Sequence, residues 1–137
     1  MFAVNRAARR FESLAAQVLA ADGLGFLEGL VLAALFFETP RTIKPSQLAE
    51  VFGTTRGNVS HCVSSLEGKG LLQRKIDPED ARAYQLTLKP QGKKCAVRVI
   101  GALDRLQREF EQEIGKVALD ETLKNLRKLE ALCGGRQ

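Results

Sequence analysis

Apolar residues recur at helical spacing over most of this chain and switch to strand-like alternation in one stretch only. From Asn5 to Ala21 the set Phe11, Leu14, Ala15, Val18 and Leu19 steps by threes and fours, which predicts a helix broken at Gly23 and Gly25. Residues 26 to 37 are apolar nearly all round, so a second helix is expected between other elements. Thr39-Pro40 stops it, because proline disfavours helix in the residue before it. Residues 41 to 44 are short enough to add one strand to a small sheet. Pro45 then opens a brief helix in which Leu48, Ala49 and Phe52 face inward before Gly53. Thr55 is a suitable N-cap for a fourth helix, with Val59, Cys62, Val63 and Leu66 on one face and Gly70 at its end. Alternation follows: residues 71 to 76 and 83 to 88 read as strands around Asp77-Pro78-Glu79-Asp80-Ala81-Arg82. A long helix over residues 90 to 115 carries Val99, Leu103, Leu106, Phe110 and Ile114. Asp120 can cap a last helix bearing Leu123, Leu126, Leu129 and Leu132.

This order predicts a mainly α fold with a small β-wing. A winged helix-turn-helix lobe over residues 41 to 89 is flanked by helices over 1 to 38 and 90 to 137, all within one domain. The flanking helices carry more apolar surface than so small a lobe needs. They are therefore expected to serve mainly in dimerisation rather than only to cover their own domain. Helix, turn, helix and hairpin is a geometry that sets one helix in a DNA groove and a charged loop in the next.

Charge placement sharpens this. The net charge is +5, yet residues 41 to 98 hold 11 Lys/Arg against 5 Asp/Glu, so the whole excess lies on the lobe and the start of the helix that follows it. A basic face of this kind attracts phosphates. The arginines at positions 6, 9 and 10 precede helix-period apolars rather than a secretory core. The apolar run at 24 to 37 is interrupted by Glu28 and too short to span a bilayer. No membrane association is expected, and the cytoplasm is the expected compartment. Cys62, Cys95 and Cys133 lack metal-ligand spacing and His61 is the only histidine, so neither a metal nor a cofactor is expected. No nucleophile–base pair or phosphate loop is visible, which argues against an enzyme.

At 100° per residue, the face of the fourth helix opposite Val59, Cys62, Val63 and Leu66 holds Gly57, His61, Ser64 and Gly68, with Asn58, Ser60 and Ser65 on its flanks. That face is small, polar and free of carboxylates until Glu67, which suits entry into a major groove roughly 12 Å wide. Asn58 and His61 are candidates for base edges, Arg56 for guanine or phosphate, and Thr55 and Ser60 for phosphates; Gly57 allows close backbone approach. Arg82, past the wing turn, can reach a narrow minor groove, oriented by Asp80. Arg74 and Lys75 on the first strand are candidates for pairing with wing acids or for phosphate contact.

At these residues the chain resembles the MarR/SlyA family of bacterial winged-helix transcription regulators. The resemblance rests on Leu48-Ala49, Thr55, Leu66-Glu67, Lys69-Gly70-Leu71, Arg74, Asp77-Pro78, Asp80 and Arg82. It covers about a third of the chain closely, and the flanking helices fit the family's order more loosely. It implies a homodimer with interlocked terminal helices on a pseudo-palindromic operator in double-stranded DNA. Such a protein usually represses transcription and lets go when a small phenolic or other aromatic inducer, or an oxidant, arrives. An inducer pocket between the dimer helices and the lobe is expected to involve Phe11, Phe26, Leu30 and Phe36, although these four also suit an ordinary core. The chain departs from the family pattern at Ala81, where a basic residue is common, and at Lys89, where a threonine usually caps the long helix. It also lacks the first-helix cysteine of the peroxide sensors. The alternative reading is a winged helix used for protein–protein contact without specific DNA binding.

Overall fold

A computed structural model describes residues 1–80 and 84–135. Helices α1 (Phe2–Leu19), α2 (Phe26–Glu38), α3 (Pro45–Val51) and α4 (Arg56–Gly68) precede an antiparallel hairpin of β1 (Leu72–Ile76) and β2 (Tyr84–Leu88). Helices α5 (Pro90–Ile114) and α6 (Lys116–Gly134) follow. The chain divides into a unit of Met1–Ala102 and a unit of Leu103–Gln137, with α5 running from one into the other.

The core of the first unit forms where the sequence pattern places it. Leu19 of α1, Val31 and Leu32 of α2, Leu48 of α3, Val59, Val63 and Leu66 of α4, Leu72 and Leu86 of the hairpin and Val99 of α5 are all buried. Each such side chain stabilises the fold by roughly 1.5–3 kcal/mol through removal from water. The all-round apolar character of α2 is explained, since Gly29, Val31, Leu32, Ala33 and Leu35 are all buried. The turn from α4 into the hairpin is fixed against α5 by a close backbone approach. A Cβ on Gly92 would lie 1.8 Å from the Leu71 carbonyl oxygen, so only glycine fits there.

Hairpin register is Leu72 to Leu88, Arg74 to Leu86 and Ile76 to Tyr84. Period two therefore sets Arg74 on the same sheet face as buried Leu72, while Lys75 takes the other face and is exposed. The strand expected over residues 41 to 44 is reduced to one bridge, Ile43 with Leu86, because Pro45 already begins α3.

In the second unit the last part of α5 is followed by α6. The expectation that Asp120 caps the final helix is corrected: α6 starts at Lys116 behind Gly115, and Asp120 lies inside it. Gly115 has φ 91°, a conformation that suits glycine and ends α5 four residues before the buried Leu119. Along α6, Val117, Leu123, Leu126, Leu129 and Leu132 stay exposed. Among the described residues no single helix is long and apolar enough to cross a membrane.

Candidate nucleic-acid interface

Helix α4 begins as its sequence dictates. Thr55 is extended, and its Oγ1 accepts a hydrogen bond from the Asn58 N–H at 3.1 Å, satisfying one of the amides a helix start leaves open. Asn58 Nδ2 donates to Thr54 Oγ1 at 3.0 Å, which orients the amide at the first turn. Val59, Cys62, Val63 and Leu66 are buried, while Thr55, Arg56, Gly57, Asn58, Ser60, His61 and Ser64 are exposed. The structure thus brings seven of the candidate residues onto one solvent-facing surface.

Ser64 is not free on that surface. Arg74 Nη2 donates to Ser64 Oγ at 2.9 Å, and Nη1 donates to Glu67 Oε1 at 3.0 Å; the Arg74 backbone N–H also donates to Glu67 Oε2 at 3.3 Å. The guanidinium sits 5.1 Å from the Tyr84 ring centroid, a cation–π distance. Arg74 thus binds the end of α4 to both strands, and its partner acid belongs to α4 rather than to the wing. Lys75 is exposed on the opposite sheet face. Arg82 lies outside the described residues.

The wing turn is organised by Asp77, which is buried. Its carboxylate accepts from the Glu79 N–H at 3.0 Å and pairs with Lys44 Nζ at 3.3 Å. The Glu79 N–H, then Lys44, hold its carboxyl below the usual range.

A second fastening of α4 was not apparent from the sequence. Glu28, three residues into α2, accepts from the Gly25 N–H at 3.1 Å, from Lys69 Nζ at 2.9 Å and from Ser65 Oγ at 3.1 Å; Lys69 also donates to the Gly23 carbonyl at 2.8 Å. Burial pushes the Glu28 carboxyl up, but the hydrogen bonds from Lys69, Gly25 and Ser65 together with the Lys69 charge outweigh it and leave the pKa lowered. The available signal was one acid within the otherwise apolar run of residues 24 to 37, since carboxylates taken out of water require partners.

A cavity of about 360 Å3 beside this fastening is lined by Phe26, Glu28, Asn58, His61, Cys62 and Ser65 among others. Of the four expected pocket residues, Phe26 lines it. Phe11 meets Phe26 edge to face with ring centroids 6.0 Å apart, whereas Phe36 meets Phe37 edge to face at 6.1 Å. Cys62 and Cys95 are buried, and Cys133 is exposed. Burial, then the Glu28 charge, pushes the Cys62 thiol up to about 12, so it stays protonated and unreactive near neutral pH.

Comparison with known proteins accords with this geometry. Residues 37–84 match the model of the MarR family. The HTH-type transcriptional regulator PrsX of Escherichia coli is 29% identical over 87 residues, covering 64% of this chain and 52% of PrsX. The chain thus spans about half the length of the curated relatives it matches. In structure it is similar to S. aureus MepR in complex with DNA, at TM-score 0.86 and 19% identity over 95% of both chains. It is also similar to the regulator BldR of Sulfolobus solfataricus, at TM-score 0.83 and 23% identity over 96% of this chain and 91% of that one. The winged-helix segment of this chain thus matches the MarR family model, and its fold is the one these regulators share.

Proposed function

We propose that the chain is a transcriptional regulator that binds specific duplex DNA as a homodimer and acts as a ligand-responsive repressor. The observation that carries this reading is the outer face of α4, where Arg56, Gly57, Asn58, Ser60 and His61 are exposed together. The helix has no carboxylate before Glu67, and Arg74 neutralises that one. A surface of this composition enters a major groove without charge conflict. The shared fold with MepR, solved on DNA, supports the same docking element. In this reading residues 41–89 engage DNA, and residues 1–38 and 90–137 hold the dimer. Uncovered apolar side chains on α1 (Phe2, Val4, Phe11, Leu14) and on α6 support a helical dimer interface. A two-fold dimer then reads half-sites about one helical turn apart, roughly 34 Å. Release by a small aromatic ligand is carried over from the family resemblance, as is action in the cytoplasm without enzymatic activity.

The test is an anisotropy titration on duplex from the chain's own upstream region, run beside sedimentation equilibrium. With ~6–10 phosphate contacts per dimer, affinity falls about 10³–10⁵-fold between 50 and 200 mM salt. Duplex binding that is absent or insensitive to salt, or a monomer at micromolar concentration, would sink the reading.

A further inference from the structure

One face of the hairpin runs from the core into water. The opposed pairs Leu72–Leu88, Arg74–Leu86 and Ile76–Tyr84 share that face by alternation, and burial falls along it. Leu72, Leu86 and Leu88 are buried, Arg74 and Tyr84 are half-buried, and Ile76 is 76% exposed. Among the described residues of the winged-helix lobe, no other large apolar side chain is so exposed.

This is not the exposure of a loose strand end. Ile76 is paired with Tyr84, and the next residue, Asp77, is buried with its carboxylate held by the Glu79 N–H and by Lys44. On the same face the Arg74 guanidinium lies 5.1 Å from the Tyr84 ring centroid and bonds Ser64 and Glu67 of α4. Ile76 stands two residues further along β1, about 7 Å past that attachment to α4. Strand propensity alone does not call for isoleucine there, since threonine suits a pleated strand equally and leaves less apolar surface in water.

A docked partner can cover this side chain, and its chemistry follows if the proposed DNA reading holds, on which this step rests. With α4 in a major groove and the wing in the next minor groove, a sugar–phosphate strand passes between them. Phosphate oxygens offer isoleucine nothing, and the thymine methyl lies in the major groove. The apolar surface that remains is the C–H face of the sugar. From these observations we infer that Ile76, backed by Tyr84, packs on one deoxyribose per half-site and makes binding depend on the absence of a 2′-hydroxyl there. A ribose at that position sets a hydroxyl against an apolar side chain without a hydrogen-bond partner, which is unfavourable. The neighbouring cations do not fill this role, because Lys75 takes the opposite sheet face and Arg74 is engaged with Glu67.

The experiment is a ribonucleotide scan, read by fluorescence anisotropy, on duplex from the chain's own upstream region. A single ribonucleotide is moved one position at a time along both strands of the protected segment. The wild type should lose about 5-fold or more in affinity at one sugar per half-site and little elsewhere. Ile76→Ala should bind the all-DNA duplex ~3–10-fold more weakly and give a flat scan, whereas Ile76→Val keeps the sensitive position. Because the side chain is exposed, both variants should melt with the wild type. Unchanged affinity of Ile76→Ala for the all-DNA duplex would overturn the inference and leave the DNA reading intact. So would a sensitive position that survives in Ile76→Ala. A wild type that binds no duplex overturns both. If Ile76→Ala kept its duplex affinity but dissociated the dimer, the side chain would instead be a contact between copies of the chain.

Discussion

The two halves of α4 are treated in opposite ways by the rest of the fold. Among the described residues its first half, Arg56 to His61, is fixed through the Thr55 cap, the Asn58–Thr54 bond and the buried Val59, and its polar groups face water. Its second half is bound on two sides, by Arg74 through Ser64 and Glu67, and by Glu28 through Ser65 and Lys69. In the proposed function, a single helix thus has a reading end and an anchored end. A reading surface needs unspent hydrogen-bonding groups, and it also needs a fixed orientation. Here the requirements are met by different turns of the same element rather than by a compromise at each residue.

The comparison can be broken most severely at Gly92. A methyl group there collides with the Leu71 carbonyl, so Gly92→Ala must shift the backbone where α4 hands over to the hairpin. It should destabilise the chain by about 3–5 kcal/mol, read from the urea unfolding midpoint. A loss under about 1 kcal/mol would show that α5 moves aside without cost.

Next in size is Arg74→Ala, which removes the tie between α4 and both strands. A loss of about 2–3 kcal/mol in folding stability is expected, with weaker binding to all duplexes alike. A variant of unchanged stability that loses duplex affinity would instead make Arg74 a direct phosphate contact. Asn58→Ala probes the reading end. It should leave stability within about 1 kcal/mol while discrimination between operator and random duplex drops by about 1–3 kcal/mol. Equal losses on both duplexes would remove Asn58 from base reading.

The smallest effect concerns acid. The Glu28 pKa is lowered from its ordinary value of 4.5, so its contribution to stability is present above that value and fades as pH falls through the folded pKa. Glu28→Gln should flatten part of the decline in melting temperature below about pH 4.5. Asp77, lowered as well, leaves a remaining slope. Identical acid profiles for the two proteins would mean that the fastening to α2 contributes nothing measurable.

Much of this was legible in local pattern. Helical phasing assigned Val59, Cys62, Val63 and Leu66 inward, and all four are buried. The hairpin was legible too, and even Arg74 carried a readable signal: it stands two residues from Leu72, and alternation places both on one sheet face. Assigning Arg74 to wing acids or to phosphates overlooked that phase. The Glu28–Lys69 pair spans 41 residues of sequence, and no periodicity brings such partners together. It depends on how α2 meets α4. The start of α6 was missed for a different reason. An Asp is a good cap by composition, but Gly115 with its positive φ had already turned the chain.

The fastenings at the base of the hairpin carry one more implication. Ile43 bridges to Leu86 and Lys44 pairs with Asp77, so the segment entering α3 is joined to β2 and to the residue that follows β1. Helix pair and hairpin base are thereby tied together, and if α4 and the hairpin both engage DNA as proposed, the step between them acts as a ruler of set length. On a DNA partner, inserting one base pair between the bases under α4 and those under the wing should forfeit one of the two contacts outright, since the protein cannot stretch to follow.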